Sequence, residues 1–212
     1  MSDVVFWGAT GQAKVLRECL GPQTRLVALF DNDPTAASPF ADVPIFYGKA
    51  GFEAWLAARP ERPACLVAIG GHRGADRVAL QAYMVSLGLP AATACHPTAF
   101  VATDARIGAG SQILAQAAVC VEARLGLACI VNTAASVDHE CILGDGVHIA
   151  PGARLAGCVE VGDGAMIGTG AIVLPRVRIG AGAIIGAGAV VVRDVPAGAV
   201  AMGNPARVKE ER

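Results

Sequence analysis

No apolar run in this chain reaches about eighteen residues. Its first residues also lack a basic flank followed by a leader-length apolar core. The sequence therefore predicts neither a membrane span nor an export signal, and the protein is expected to be soluble and cytoplasmic. Charge is scarce as well. Asp, Glu, Lys and Arg make up 17% of the 212 residues and nearly cancel, leaving a net charge of −1. No global field draws nucleic acid or an anionic membrane. The seven cysteines, at 19, 65, 95, 120, 129, 141 and 158, are odd in number and show no CxxC spacing. They read as reduced packing residues rather than a disulfide framework or a thiolate metal site.

What the chain does have is a period of six. Val, Ile or Leu recurs without a miss from Val101 through Ile107, Ile113 and onward to Ile185 and Val191. Four residues after each comes a small one, among them Ala105, Ser111, Ala117, Cys129, Ala135, Cys141 and Ala153. Neither a helix nor an alternating strand has that period. A hexapeptide repeat marks a parallel β-helix, with the aliphatic residue inward and the small one packed at a corner. Gly108, Gly126, Gly144, Gly162 and Gly180 are eighteen apart. Eighteen residues make one coil of a triangular prism. These glycines are expected to stack on one edge, where the turn favours a residue without Cβ.

The first 95 residues do not follow this beat. Strands are expected near Val4–Trp7, Leu26–Phe30, Ile45–Tyr47 and Cys65–Ile69, with helices about Gln12–Leu20, Phe52–Ala58 and Ala75–Leu87. That alternation implies a small Rossmann-like parallel sheet, with Ala92–Cys95 as its last strand. Residues 1–95 are then one α/β domain. Residues 96–212 are a β-helix domain with a C-terminal tail, and the prism is expected to be independent of the sheet. The tail from Pro196 is expected to fold back over the last coil or stay partly mobile.

Open parallel sheets bind ligands at the carboxyl ends of their strands. Three such ends carry notable residues: Gly8-Ala-Thr10-Gly11, Asp31-Asn32-Asp33 and Ile69-Gly70-Gly-His-Arg73. The glycines let backbone approach a phosphate. Asp31 can accept hydrogen bonds from a ribose or base, and Arg73 can pair with a phosphate oxygen. The full dinucleotide fingerprint is absent, because Lys14 and Val15 follow where a third glycine would stand. An ordinary tight turn is the competing reading of Gly8–Gly11, and the three ends together point to a nucleotide.

A second constellation is Asn132-Thr-Ala-Ala-Ser-Val-Asp138-His139-Glu140-Cys141, with His148 nine residues on. His139 lies two residues past inward Val137 and is expected to point out of the prism. Acids on both sides can orient its imidazole and raise its basicity. Nine residues is half a coil, so His139 and His148 are expected to meet only across a subunit boundary. Zinc held by histidines from two subunits is the competing reading. The acidic neighbours suit base catalysis at least as well, and no metal is expected.

The run from Asn132 to Cys141, together with Ile142-Leu-Gly-Asp-Gly-Val-His-Ile-Ala-Pro-Gly152, resembles the bacterial nucleotide-amino-sugar N-acetyltransferases. Their wider family includes the sialic acid O-acetyltransferases. Gly186–Val191, Gly203-Asn-Pro-Ala206 and the Gly-Ala-x-Gly turn near the start resemble theirs too. The resemblance implies a left-handed β-helix, a homotrimer, and acetyl-CoA bound between subunits. It implies His139 as general base, with Glu140 tuning it and Asp138 as a second candidate. It places His148 near the thioester, and Gly157, Thr169 and Ala187 along the acetyl-CoA arm. Gly8, Thr10, Gly11, Gln12, Asp31, Asn32 and Gly70 fall where the sugar nucleotide binds. Gln12 departs from the His usual there and cannot carry charge.

The implied reaction moves acetyl from acetyl-CoA to the amine of a nucleotide-linked amino-deoxy-sugar, such as a 4-amino-4,6-dideoxyhexose. It proceeds directly in a ternary complex. O-acetylation of a sugar hydroxyl or sialic acid uses the same base and is the close alternative. A non-catalytic sugar-nucleotide scaffold is the alternative of another class.

Overall fold

A computed structural model describes residues 2–209. The chain opens with four parallel strands, β1 (Ser2–Trp7), β2 (Thr24–Asp31), β3 (Ile45–Tyr47) and β4 (Ala64–Val67), ordered β3-β2-β1-β4. Three helices interleave: α1 (Gly11–Arg17), α2 (Gly48–Ala57) and α3 (Gly74–Ser86). The strands read as continuous apolar runs because both sheet faces are covered. Val5, Trp7, Phe30 and Val67 pack with Phe52 and Leu56 of α2 and Met84 of α3. Val4, Phe6, Leu29 and Leu66 face the other way, toward Ala13 and Leu16 of α1. Leu114 and Ile130 of the following prism complete that second cluster, both with no exposed surface.

One expected strand changes sheets. Ala91 still bridges to Cys65 of the N-terminal sheet, but β5 (Ala94–Cys95) pairs with Gln112–Ile113. It is the first rung of the prism, not the last strand of the parallel sheet. The reason is register. Ala94 and Cys95 stand eighteen residues before Gln112 and Ile113, so they fall on the prism's own repeat.

From there, two-residue strands run from β6 (Phe100–Val101) to β21 (Val190–Val191), one per hexad. Together with β5 and two strands at the C-terminal end they form sheets of five, six and eight strands, the faces of a triangular prism. Each residue pairs with those eighteen away: Val137 lies between Val119 and Leu155. The aliphatic column from Ile113 to Val191 is buried, with the small residues Ala117, Ala135, Ala153 and Ala171 packed beside it. The eight-stranded face ends in β22 (Val200–Gly203), which pairs with Ile184–Ile185. It then turns back as antiparallel β23 (Ala206–Val208). So the tail adds a rung and a hairpin.

The glycine column needs a different physical reason from the one expected. Gly108, Gly126, Gly144, Gly162 and Gly180 do not hold the left-handed conformation. That falls two residues later, at Gly110, Ala128, Gly146, Gly164 and Gly182. A Cβ on a column glycine would strike the next coil, such as backbone of Gly126 above Gly108 or Oδ1 of Asp163 above Gly144. Close stacking of coils selects them. The two aspartates also cap this edge: Asp145 Oδ1 accepts from Leu127 N at 2.7 Å, and Asp163 Oδ1 from Asp145 N at 2.8 Å.

Candidate active site

The strand ends of the N-terminal sheet converge as the sequence implies. Gly8, at φ 112°, sits so close to Ala68 that a Cβ would collide with its carbonyl. Asp31 ties two loops together, accepting from Ala9 N at 2.9 Å through Oδ2 and from Asp33 N at 3.0 Å through Oδ1. Thr10 and Gly11 are exposed at the start of α1. Asn32 and Arg73 line one open cavity of about 230 Å³ together with Lys49, Asp76 and Tyr83. Arg73 is held there by Asp76, Nε to Oδ2 at 2.6 Å.

Gln12 reaches across to the prism. Its Nε2 donates to Gln112 Oε1 at 2.7 Å, and Gln112 Nε2 donates to Val67 O at 2.7 Å. Gly70 lies beside the side-chain oxygen Oε1 of Gln12. An uncharged amide thus spans the first turn, the loop after β4 and the prism.

His139 stands on the edge between the six- and five-stranded faces, after β12 (Ser136–Val137) and before β13 (Ile142–Leu143). It is half exposed, and its Nδ1 is 2.9 Å from Glu140 Oε2. A carboxylate at that distance favours the tautomer with its proton on Nδ1, which leaves the lone pair on Nε2. The His139 hydrogen bond, and then the Cys158 thiol at 3.6 Å, hold the Glu140 carboxyl below its ordinary range. Asp138 does not touch the ring; its Oδ1 accepts from His139 N at 2.7 Å and braces the backbone. Gly157 lies one coil on, directly under the imidazole, and a Cβ there would collide with Nε2.

His148 is on another side of the prism. It sits in β14 (His148–Ile149) of the eight-stranded face, the face covered by the N-terminal sheet. The ring is buried at 5% exposure, with Nδ1 3.1 Å from Gly71 O and Nε2 3.2 Å from Asn132 Nδ2. The carbonyl requires a proton on Nδ1, so Nε2 accepts from the amide. Burial pushes its pKa down to about 4, and the ring is neutral. Within one chain, therefore, His139 and His148 are not brought together. Thr169 and Ala187 occupy a third place. They are exposed and stacked on successive coils of the edge between the eight- and six-stranded faces, where Gly188 N donates to Thr169 O at 2.8 Å.

The description "Bacterial transferase hexapeptide (six repeats)" matches residues 158–193. Curated protein sequences gave no match. Among solved structures, a histidine-to-asparagine variant of perosamine N-acetyltransferase from Caulobacter crescentus, in complex with CoA and GDP-perosamine, is 37% identical. It covers 100% of this chain and 98% of its own, with a TM-score of 0.90. The acetyltransferase domain of PglB from Neisseria gonorrhoeae, in complex with acetyl coenzyme A, is 34% identical over 98% of both chains, with a TM-score of 0.85.

This chain belongs to the nucleotide-amino-sugar N-acetyltransferases. It is an acetyl-CoA-dependent acyltransferase whose prism is the left-handed parallel β-helix of that family.

This acetyltransferase has no activated thiol among the buried cysteines. Burial pushes Cys19, Cys129 and Cys141 up to about 11 and Cys65 up to about 12. Cys129 and Cys141 instead point their thiols at Gly144 O and Ala156 O, at 3.1 and 3.2 Å. His139, Glu140 and Cys158 place ligand atoms within 4.8 Å of one another. Sequence reasoning missed Cys158 at this edge, although its position eighteen residues after Glu140 carried the signal. It also missed Gln112 and Arg77, which join the N-terminal sheet to the prism. Nothing in a local pattern marks a cation on an amphipathic helix as buried.

Proposed function

We propose that this enzyme acetylates the amino group of a nucleotide-linked 4-amino-4,6-dideoxyhexose, with His139 as general base. The observation that carries the reading is the His139–Glu140 pair on an exposed prism edge. The carboxylate on Nδ1 leaves the Nε2 lone pair to take a proton, and the missing side chain of Gly157 makes room for the ring. The acceptor amine attacks the thioester carbonyl, a C–N bond forms, and the C–S bond breaks. The amine proton passes to His139 Nε2, and the imidazolium returns it to the leaving thiolate. Glu140 stabilises the imidazolium formed on the way. Base catalysis of this kind contributes about 10² to 10⁴ in rate, with positioning supplying more.

Asp31, Asn32, Gly70 and Arg73 bind the nucleotide at the strand ends, with Gly8 to Gln12 beneath it. The Caulobacter relative was solved with GDP-perosamine, which makes a GDP-linked sugar the first acceptor to test. Thr169 and Ala187 offer exposed backbone on an edge of small residues for the arm of acetyl-CoA. His148 and the strand ends lie on one side of the prism and His139 on another. A homotrimer with prisms side by side lets one subunit's His139 face its neighbour's acceptor loop. We assign residues 1–93, up to the first rung of the prism, to acceptor binding and 94–212 to acetyl transfer. No helix of the described residues is long and apolar enough to cross a membrane, which suits a cytoplasmic enzyme.

Thiol release from acetyl-CoA with GDP-, UDP- and dTDP-linked amino sugars, and mass analysis of the product, tests the reading. An acetamido product is expected. Transfer only to hydroxyl sugars would support O-acetylation instead. No transfer with any acceptor, but tight nucleotide binding, would support the scaffold.

A further inference from the structure

Arg77 lies in the first turn of α3 with no exposed surface. A buried cation is costly unless its donors are satisfied. Here every partner is a backbone carbonyl. Nε donates to Ala128 O at 3.0 Å and Nη2 to Gly146 O at 2.6 Å, on two successive coils of one prism edge. Nη1 is 3.3 Å from both Ile69 O and Gly71 O, in the loop after β4. Burial pushes its pKa down to about 10, which leaves the guanidinium charged at neutral pH. Only a rigid fork of donors can reach loop and prism at once.

Two further contacts converge on the same loop. Gly71 O also faces Nδ1 of His148, at 3.1 Å. One carbonyl of the loop thus receives a donor from α3 and another from the prism. Gly74, at the start of α3, packs backbone to backbone on Gly146, and a Cβ on Gly74 would strike the Gly146 carbonyl. The loop from Ile69 to Gly74 is clamped against the β-helix from both ends. Arg73, which lines the cavity with Asn32, sits inside the clamp.

We propose that Arg77 is a positioning residue: it sets the acceptor loop 69–73 at a fixed height on the prism, and so aligns the sugar amine with the acetyl group. This rests on the assignment of that loop to the nucleotide. Arg77 touches neither substrate. Arg77→Lys keeps a charge and most of the stem but has one donor centre. It cannot hold the loop and both coils together. A residue that merely glued two parts of the fold would affect both substrates alike. A residue that places the acceptor loop affects the acceptor alone.

The test is steady-state kinetics of full-length Arg77→Lys, with thermal unfolding measured alongside. The KM for the nucleotide sugar is expected to rise about tenfold or more, with the KM for acetyl-CoA within about twofold. Unchanged KM for the sugar in a folded variant, or equal rises for both substrates, overturns the proposal. If Arg77→Lys does not fold, Gly74→Ala pushes α3 off Gly146 without touching the charge. It must show the same split, and its absence is equally decisive. Arg73→Ala separates the underlying assignment, with GDP and UDP titrated by calorimetry as probes. If Arg73→Ala binds both as the wild type does, the nucleotide assignment fails and Arg77 falls with it. If nucleotide binding weakens while Arg77→Lys shows no split, the loop assignment stands and the positioning role fails.

Discussion

Gly157 lies one coil beyond His139, and the side chain it lacks is the space the imidazole occupies. Its backbone is not in the left-handed region, so alanine is conformationally acceptable there. What alanine cannot do is share the volume with Nε2. Gly157→Ala is therefore predicted to fold and to displace the ring that carries the proton. A misplacement of about 1 Å can cost on the order of 10² in rate. We expect kcat to fall by about that factor, with thermal stability reduced only slightly. Wild-type kcat would show that the ring is not where the chemistry needs it.

Removing the base itself should cost as much or more. His139→Ala is expected to lower kcat by about 10² or more. The ring is half exposed, so the unfolding temperature should barely move. Glu140→Gln should cost less, because the amide still meets Nδ1 but no longer stabilises the imidazolium. A larger loss for Glu140→Gln than for His139→Ala, in the same assay, would exchange the two roles.

Much of the prism was legible because its physics is one-dimensional. Each coil repeats the last, so a period of six fixed which residues point inward, from Ile113 to Val191. The edge holding His139 followed by counting two residues past Val137. The long-range contacts were not legible. Arg77 meets Ala128 and Gly146 from 51 and 69 residues away, and no periodicity encodes that meeting. His148 was expected beside a thioester; its burial against Gly71 depends on how the N-terminal sheet docks. In the sequence the glycine column reads as a conformational need. It proved to be a packing need, a distinction that only the position of the next coil reveals.

His148 gives a pH signature. Its folded pKa is about 4, below the ordinary 6.5 of an exposed imidazole, and burial is the main cause. The unfolded chain therefore takes up a proton first as pH falls. The stability tied to the neutral ring is complete above about 6.5 and is lost progressively down to about 4. That gap corresponds to roughly 3 kcal/mol. His148→Asn should be less stable than the wild type at pH 7.5, yet lose less between pH 6.5 and 4. Chemical denaturation across that range measures both slopes, and parallel slopes would remove His148 as the titrating group.

Cutting the chain before the prism tests how far the two parts depend on each other. The sequence suggested independence, since the hexad begins only at Val101. The structure argues otherwise. The eight-stranded face buries Leu114 and Ile130 in one cluster with Val4, Phe6 and Leu66. Gln112, on the same face, is fully buried and donates to Val67 O. Deleting residues 1–93 would leave this apolar face open along with the carbonyls that Arg77 satisfies. Each large side chain so exposed costs about 1.5–3 kcal/mol of burial, and an exposed apolar face beside unpaired polar groups promotes association. The truncated chain is expected to be poorly soluble or to melt well below the full protein. Size-exclusion chromatography and thermal unfolding at matched concentration decide it, because oligomer stability depends on concentration. A monodisperse fragment melting at the full-length temperature would mean that the sheet adds nothing to the prism.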